Sequence, residues 1–293
     1  CLEEAAGDIT VQTAMLEARL LIGSSSLFRG LTVLIRSSLD APAFFQSKRI
    51  QQEDRHQRFS DTSYSLEANC KEGPGGLRDL QLILWIAQAA GYGKSWKDLE
   101  LCGFITDEEA QLLTACEAFL CRLRIHLHLH AGRREDRLLF EYQTALAEKL
   151  GFNATADLRA SETLMQQYYR TAKTVTQINA IILQNIGTAL FPPPELPPRR
   201  INERFQNAHE FLDVVHEEGF RQTPSAILEA FLLLQTHAEL KGMSARTQRA
   251  LWRARQLIDE DFRCNPEHRA LFLLIFKQER RLVQEFRRMN QLG

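Results

Sequence analysis

The chain has 293 residues, 44% of them hydrophobic and 25% charged, with 36 Lys and Arg against 37 Asp and Glu. This length can bury one large core or two, and the even charge balance leaves no overall field to favour nucleic acid or a membrane surface. No window approaches the roughly 20 apolar residues of a membrane span. No secretory leader is visible, and a first residue of Cys1 rather than Met reads as the loss of the natural N-terminus.

Helical spacing begins at once. Residues 10–21 repeat apolar side chains at that period, Gly23 and the serines after it interrupt it, and Ser26 is placed to cap a helix through residue 39. Pro42 suits the first turn of the next helix, which carries Phe44, Phe45 and Ile50 and runs to about residue 59. Residues 60–75 read as an extended loop. Residues 77–90 form a strongly apolar helix, with Trp85 in its core stripe, that stops at Gly91. Thr106 followed by Glu109 is the signature of a capping box, and the helix it starts runs to about residue 130, with Phe119 on its core side and Gly132 as its stop. Further helices are expected over 137–150 and 161–190.

The segment 192–198 holds five prolines in seven residues, which neither helix nor central strand accepts. It reads as a stiff spacer between two helical parts. Helices are expected to resume near Ala208, Pro224 (with Thr223 as cap), Ser244 and Pro266, and no sheet is expected because no strand pair with turn chemistry stands out. The fold class is therefore all-α: a multi-helix bundle, then a smaller helical segment. The six cysteines lack C-x-x-C spacing, which reads as free thiols in a reducing cytoplasm.

The most informative run is Lys71-Glu72-Gly73-Pro74-Gly75-Gly76-Leu77-Arg78-Asp79-Leu80. Gly75 and Gly76 permit close approach of backbone to backbone or to a ligand. The helix start beyond them offers free N–H groups to an anion or a carboxylate. The same run can be a tight turn capped by Asp79 and tied down by an Arg78 salt bridge, with Arg78 and Asp79 acting as a pair. Lys48, Arg49, Arg55, His56 and Arg58 make a basic cluster before Thr62, Ser63 and Tyr64; it is either a solvated helix face or a contact with phosphates or an acidic protein surface. On the long helix, Arg124 and His128 share a face, as do His126 and His130, and the loop beyond holds Arg133, Asp136 and Arg137. That loop is either an internal salt-bridge knot or a phosphate- or partner-facing patch, and the histidine pair has the spacing of metal ligands.

The run KEGPGGLRDLQLILWIAQ resembles the segment that follows the nucleotidyltransferase core in PII uridylyltransferases, bacterial enzymes of nitrogen signalling. The stretches LEARLLIGSSSLF, LRIHLHLHAGRREDRLLFEYQTALAEKLGF and LFLLIFKQERRLVQEFRRMNQLG are similar to the same family in order and spacing, so the resemblance covers nearly the whole chain. It implies a cytoplasmic, bifunctional enzyme that transfers UMP from UTP to a tyrosine of PII and hydrolyses it off, with Mg2+ as cofactor and glutamine as effector. It also implies an organisation. Residues 1–60 would adjoin a nucleotidyltransferase core, 61–190 form the family's helical bundle, 191–200 make the spacer, and 201–293 lead into a His-Asp type hydrolase domain. The Asp-x-Asp pair that transfer requires after a Gly-Ser turn is missing here. Gly23-Ser24 has no such pair behind it, and Asp259-Glu260-Asp261 reads as a solvated helix end. No His-Asp dipeptide occurs among the eight histidines. The chain is thus expected to be inactive alone and to supply no catalytic residue or metal ligand. The resemblance implies nucleotide- or substrate-proximal roles for Lys71, Gly75, Gly76, Arg78 and Asp79, and secondarily for Arg124, His128 and Arg133. A glutamine synthetase adenylyltransferase-like region, or a helical scaffold without catalysis, is the competing reading.

Overall fold

The computed structural model describes residues 7–59, 65–155, 157–194 and 196–292. The chain divides into two compact units, Cys1–Phe191 and Pro192–Gly293.

The first unit is built from α1 (Ile9–Leu16), α2 (Ser25–Ser38), α3 (Ala41–Gln57), α4 (Leu77–Ala89), α5 (Trp96–Leu101), α6 (Asp107–Ala131), α7 (Phe140–Lys149) and α8 (Ala160–Leu190). Most starts follow from local chemistry. Asp8 and Asp40 accept backbone N–H bonds at the heads of α1 and α3, and Pro42 lies in the first turn of α3. Ser24, not Ser26, caps α2; the Ser26 hydroxyl lies 2.8 Å from that of Ser24. Thr106 and Glu109 form the expected capping box, and Gly132 ends α6 in the left-handed conformation at φ 64°. Helix α7 starts three residues later than the periodicity predicts. Residues 136–138 are instead spent on extended pairing: Cys70 N–H donates to Asp136 O (2.9 Å) and Leu138 N–H to Ala68 O (2.8 Å).

Helix α8, roughly 46 Å long at 1.5 Å per residue, is the spine against which α3, α4, α6 and α7 pack. Its stripe of Leu164, Val175, Ile178, Ile182 and Ile186 meets Ile83 and Ile86 of α4 and Leu120 and Leu127 of α6 in one core. Eight of the thirteen residues of α4 are buried, so it has little solvent face.

The second unit holds β1 (Arg199–Arg200), β2 (Phe205–Ala208), β3 (Phe211–Val214), α9 (Gly219–Gln222), α10 (Ala226–Thr236), β4 (Gly242–Met243), α11 (Ala245–Ala254), a short 3-10 turn, α12 (Glu260–Cys264), α13 (Pro266–Lys277) and α14 (Leu282–Leu292). The chain is predominantly helical, as expected, but the expectation of no sheet fails. A small sheet of order β1-β2-β3-β4 is antiparallel except for the β3–β4 pair. The helix expected near Ala208 is instead a hairpin. His209 and Glu210 turn it with φ of 52° and 67°, and the Asn207 side chain accepts the Glu210 N–H at 2.8 Å. Four-residue strands joined by His-Glu instead of Asn-Gly give neither a readable alternation nor a readable turn. Phe205, Leu212 and Val214 on the sheet pack with Phe231 and Leu234 of α10 and Leu251 of α11.

Candidate functional site

Asp79 lies in the first turn of α4 with 0% exposure, and a carboxylate so placed must be fully partnered. Helix α3 supplies most of the partners. Arg55 Nη2 donates to Asp79 Oδ1 at 2.5 Å, Gln52 Nε2 to the same oxygen at 2.9 Å, and His56 Nε2 lies 3.0 Å from both oxygens. The Gly75 N–H donates to Oδ2 at 2.7 Å. From α8, Asn179 donates to the Asp79 backbone carbonyl (3.0 Å), while its own carbonyl oxygen accepts from Gln52 (3.2 Å). Burial acts to raise the Asp79 pKa and is the largest single influence. The hydrogen bond and charge of His56, the charge of Arg55 and the Gln52 amide together outweigh it and hold the pKa down at about 2.

The glycine run serves this arrangement. Gly75 has φ +75°, and a Cβ there would sit 2.1 Å from Ala172 O on α8; a Cβ on Gly76 would sit 2.8 Å from Lys71 O. Backbone meets backbone at these glycines: the N–H of Gly75, just before the helix, is taken by the Asp79 carboxylate, and the helix-start N–H groups of Leu77 and Arg78 donate to the carbonyls of Cys70 and Lys71. Asn69 completes the turn by accepting the N–H groups of Lys71 and Glu72 (3.0 and 2.8 Å).

The expected Arg78–Asp79 pair does not form. Successive helical residues point about 100° apart, so Asp79 faces inward and Arg78 outward. Arg78 instead bonds Glu72 at 3.1 Å and Gln81 at 3.0 Å, and its guanidinium lies 5.2 Å from the centre of the Trp85 ring. Glu72 also lies 3.7 Å from Lys71 Nζ, and its carbonyl accepts from Arg55 (2.8 Å). The solvated-face reading of the basic cluster fails for Lys48, Arg55 and His56. Lys48 is 4% exposed, with its ammonium 4.9 Å from the Trp85 ring centre and 5.5 Å from that of Phe44. Burial, then the nearby charge of Arg78, pushes its pKa down to about 8, against a smaller opposing effect of Asp8. Arg58 is exposed as expected and Arg49, half-buried, pairs with Glu53 at 3.3 Å, whereas Thr62, Ser63 and Tyr64 lie outside the described residues.

A second carboxylate organises the end of α6. Arg124 Nε donates to Asp136 Oδ1 at 2.6 Å, and His128 Nε2 lies 3.1 Å from the same oxygen. Burial acts to raise the Asp136 pKa, but the hydrogen bonds of Arg124 and His128 outweigh it and lower the pKa. The Cys70–Asp136 backbone bond joins this cluster to the turn at Lys71, so Arg124 and His128 are brought toward the first site. Arg133 is not; it pairs with Glu135 at 2.8 Å in an exposed loop. His130 stacks edge-on against Tyr142, and among the described residues no group of three or more His, Cys, Asp or Glu side chains could hold a metal ion. Asp259, Glu260 and Asp261 are exposed at the head of α12, with Asp259 as its cap.

Sequence reasoning overlooked Gln52, Glu72 and Asn179. Gln52 was findable, since it stands three and four residues before Arg55 and His56 and so shares their helix face. Asn179 shows only as a polar residue inside the apolar stripe of α8.

Comparisons with known proteins agree along the chain. Residues 43–183 match the family model described as GlnD PII-uridylyltransferase, and residues 205–293 match that of the uridylyltransferase GlnD third domain. A bifunctional uridylyltransferase/uridylyl-removing enzyme of Bordetella parapertussis is 53% identical over 293 residues, all of this chain and 34% of the relative. Proteins of the same name from Aromatoleum aromaticum and Nitrosospira multiformis are 52% and 50% identical, over 34% and 33% of their lengths. The chain thus spans about a third of the curated relatives it matches, and no solved structure matches it. With both family models in chain order and relatives aligned over its full length, the chain belongs to the GlnD uridylyltransferase family.

Proposed function

We propose that the chain is the helical region of a bifunctional enzyme that transfers UMP from UTP to a tyrosine of PII and hydrolyses it off again, under control by glutamine. The single strongest support is the alignment of all 293 residues with relatives named for both activities. In this reading the carboxylates that hold Mg2+ for transfer belong to another part of the enzyme, as the resemblance implies, and no catalytic step is assigned to this chain. Its role is positional. The Asp79 hub locks the turn between α3 and α4, and Lys71 and Arg78 stand on its outer side within reach of solvent. There they can offer charge-assisted hydrogen bonds to UTP phosphates or to an acidic face of PII, in exchange with Glu72. Arg124 and His128 support the turn from behind through Asp136. Residues 1–60 would adjoin the transferase core, and residues 201–293 would lead into the hydrolase domain, in the cytoplasm.

The test uses the complete protein encoded by the gene, with UTP, Mg2+ or Mn2+ and a PII protein. Labelling and label removal are expected, with Lys71→Ala and Arg78→Ala raising KM for UTP or PII several-fold while the 293-residue chain alone gives no turnover. A complete protein with neither activity overturns the functional reading. Unchanged KM values in both variants overturn only the assignment of the site.

A further inference from the structure

The second unit carries an apolar cavity of about 570 Å3 between α10, α11, α12, α13 and α14. Its walls include Phe231, Leu251, Phe262, Phe272, Met289 and Leu292, and no acidic residue lines it. The apolar surface does not end at the cavity. Along α13 it continues over Leu273 and Phe276, each 57% exposed, with Phe276 stacked edge-on to Phe286 at 5.3 Å. Residues 269, 272, 273 and 276 fall on one helical face, so Arg269, Phe272, Leu273 and Phe276 form a continuous strip beside the cavity. A small molecule that filled the cavity would leave this strip bare; an apolar surface of this reach calls for a partner with an apolar stripe of its own.

The rim defines that partner's charge. Arg255, Arg263 and Arg269 line the cavity, are exposed, and have no acidic partner among the described residues. Arg255 lies over the Trp252 ring at 4.7 Å, and Arg269 spends its Nε on the Arg263 carbonyl at 2.8 Å. The Arg269 guanidinium therefore lies against the Arg263 backbone at one end of the groove, with Arg263 beside it, and Arg255 stands on another wall. We infer that this groove of the second unit docks an amphipathic helix with apolar anchors at i, i+4 and i+7 and a flank of Asp and Glu. Aromatic, Met and Arg side chains around an apolar centre are the composition such interfaces favour. The inference does not depend on the transfer reaction or on the site at Asp79.

The experiment is a fluorescence-anisotropy titration of the 293-residue chain against a labelled 16-residue amphipathic helix with Leu and Phe anchors and a Glu flank. A second peptide replaces every Glu by Lys. The Glu peptide is expected to bind at micromolar Kd, at least tenfold tighter than the Lys peptide. Leu273→Asp should weaken it tenfold or more, and the double variant Arg263→Glu, Arg269→Glu should reverse the preference between the two peptides. All three positions are exposed, and circular dichroism of the variants confirms that they fold. No binding, equal binding of both peptides, or indifference to Leu273→Asp overturns the inference. So does a chain that dimerises through this face in sedimentation equilibrium, or a groove that takes dodecanoate but not the peptide.

Discussion

Replacement of Asp79 by Asn tests the central arrangement of the first unit. The change keeps the shape of the side chain and removes the charge that Arg55, His56, Gln52 and the Gly75 N–H hold in place. The folded pKa of about 2 against the reference 3.8 means that the ionised form is favoured by about 2 kcal/mol at pH 7, at 1.36 kcal/mol per pKa unit. A neutral isostere loses about that much, or roughly 4–8 °C in the melting of a unit this size. The pH dependence has a definite sign. A depressed carboxylate pKa stabilises fully above the unfolded value of 3.8 and loses that stabilisation as pH falls through 2. The gap between wild type and Asp79→Asn should therefore be constant from pH 7 to about 4 and shrink below it. The assay is urea unfolding followed by tryptophan emission in a Trp252→Phe background, so that only Trp85 and Trp96 of the first unit report. A gap below 0.5 kcal/mol at pH 7, or one as large at pH 2.5 as at pH 7, would refute the reasoning.

Three further outcomes follow from the same geometry. Gly75→Ala should cost more than ~3 kcal/mol, since its Cβ would meet Ala172 O at 2.1 Å, whereas Gly91→Ala, at a similar φ of +78° in open space, should cost about 1 kcal/mol; denaturation midpoints compare them. Lys48→Met should stabilise the first unit at pH 7. The Lys48 pKa is depressed to about 8 from 10.5, so wild type gains stability as pH rises from 8 to 10.5 and the variant's advantage should vanish across that window in a pH series of melts. Arg55→Ala should cost ~3–5 kcal/mol because it strands a buried carboxylate, while Arg78→Ala, which loses a half-exposed pair with Glu72 and a ring contact, should cost about 1 kcal/mol; equal costs in chemical denaturation would mean that the pairing is misassigned.

The helices were legible because their ends carry their own chemistry. Thr106 with Glu109, Pro42 and Gly132 are local signals, and the boundaries they set fall close to the observed ones; where periodicity stood alone, α1 ends at Leu16 and not at residue 21, and α7 starts three residues late. The hub was legible only in pieces. Its residues on α3, α4 and α8 are separated by 27, 100 and 127 positions, as in the Gln52–Asp79, Asp79–Asn179 and Gln52–Asn179 bonds, and periodicity carries no information across such distances. The sequence put Arg78 with Asp79 because they are neighbours in the chain, which on a helix is the reason they do not meet. The hairpin at 205–214 went unseen because its strands are shorter than one readable alternation.

A buried carboxylate is a poor device for stability alone, since well-packed apolar side chains of the same volume would serve at least as well. Asp79 does what an apolar residue cannot. Its two oxygens and its backbone carbonyl take directional bonds from α3, from α8 and from the turn, so the three elements can meet in only one register. The turn fixed in this way is the one that bears Lys71, Glu72 and Arg78. Asp136 repeats the device one strand-pair away, binding Arg124 and His128 of α6 while its backbone holds Cys70, the residue before Lys71. Lys71 thus stands between two carboxylate-centred clusters, each satisfied internally. The charges left toward solvent, Lys71 and Arg78 against Glu72, rest on a base that three helices hold rigid. Binding at this turn would then have little ordering of its own to overcome, which favours a positional role over a merely structural one.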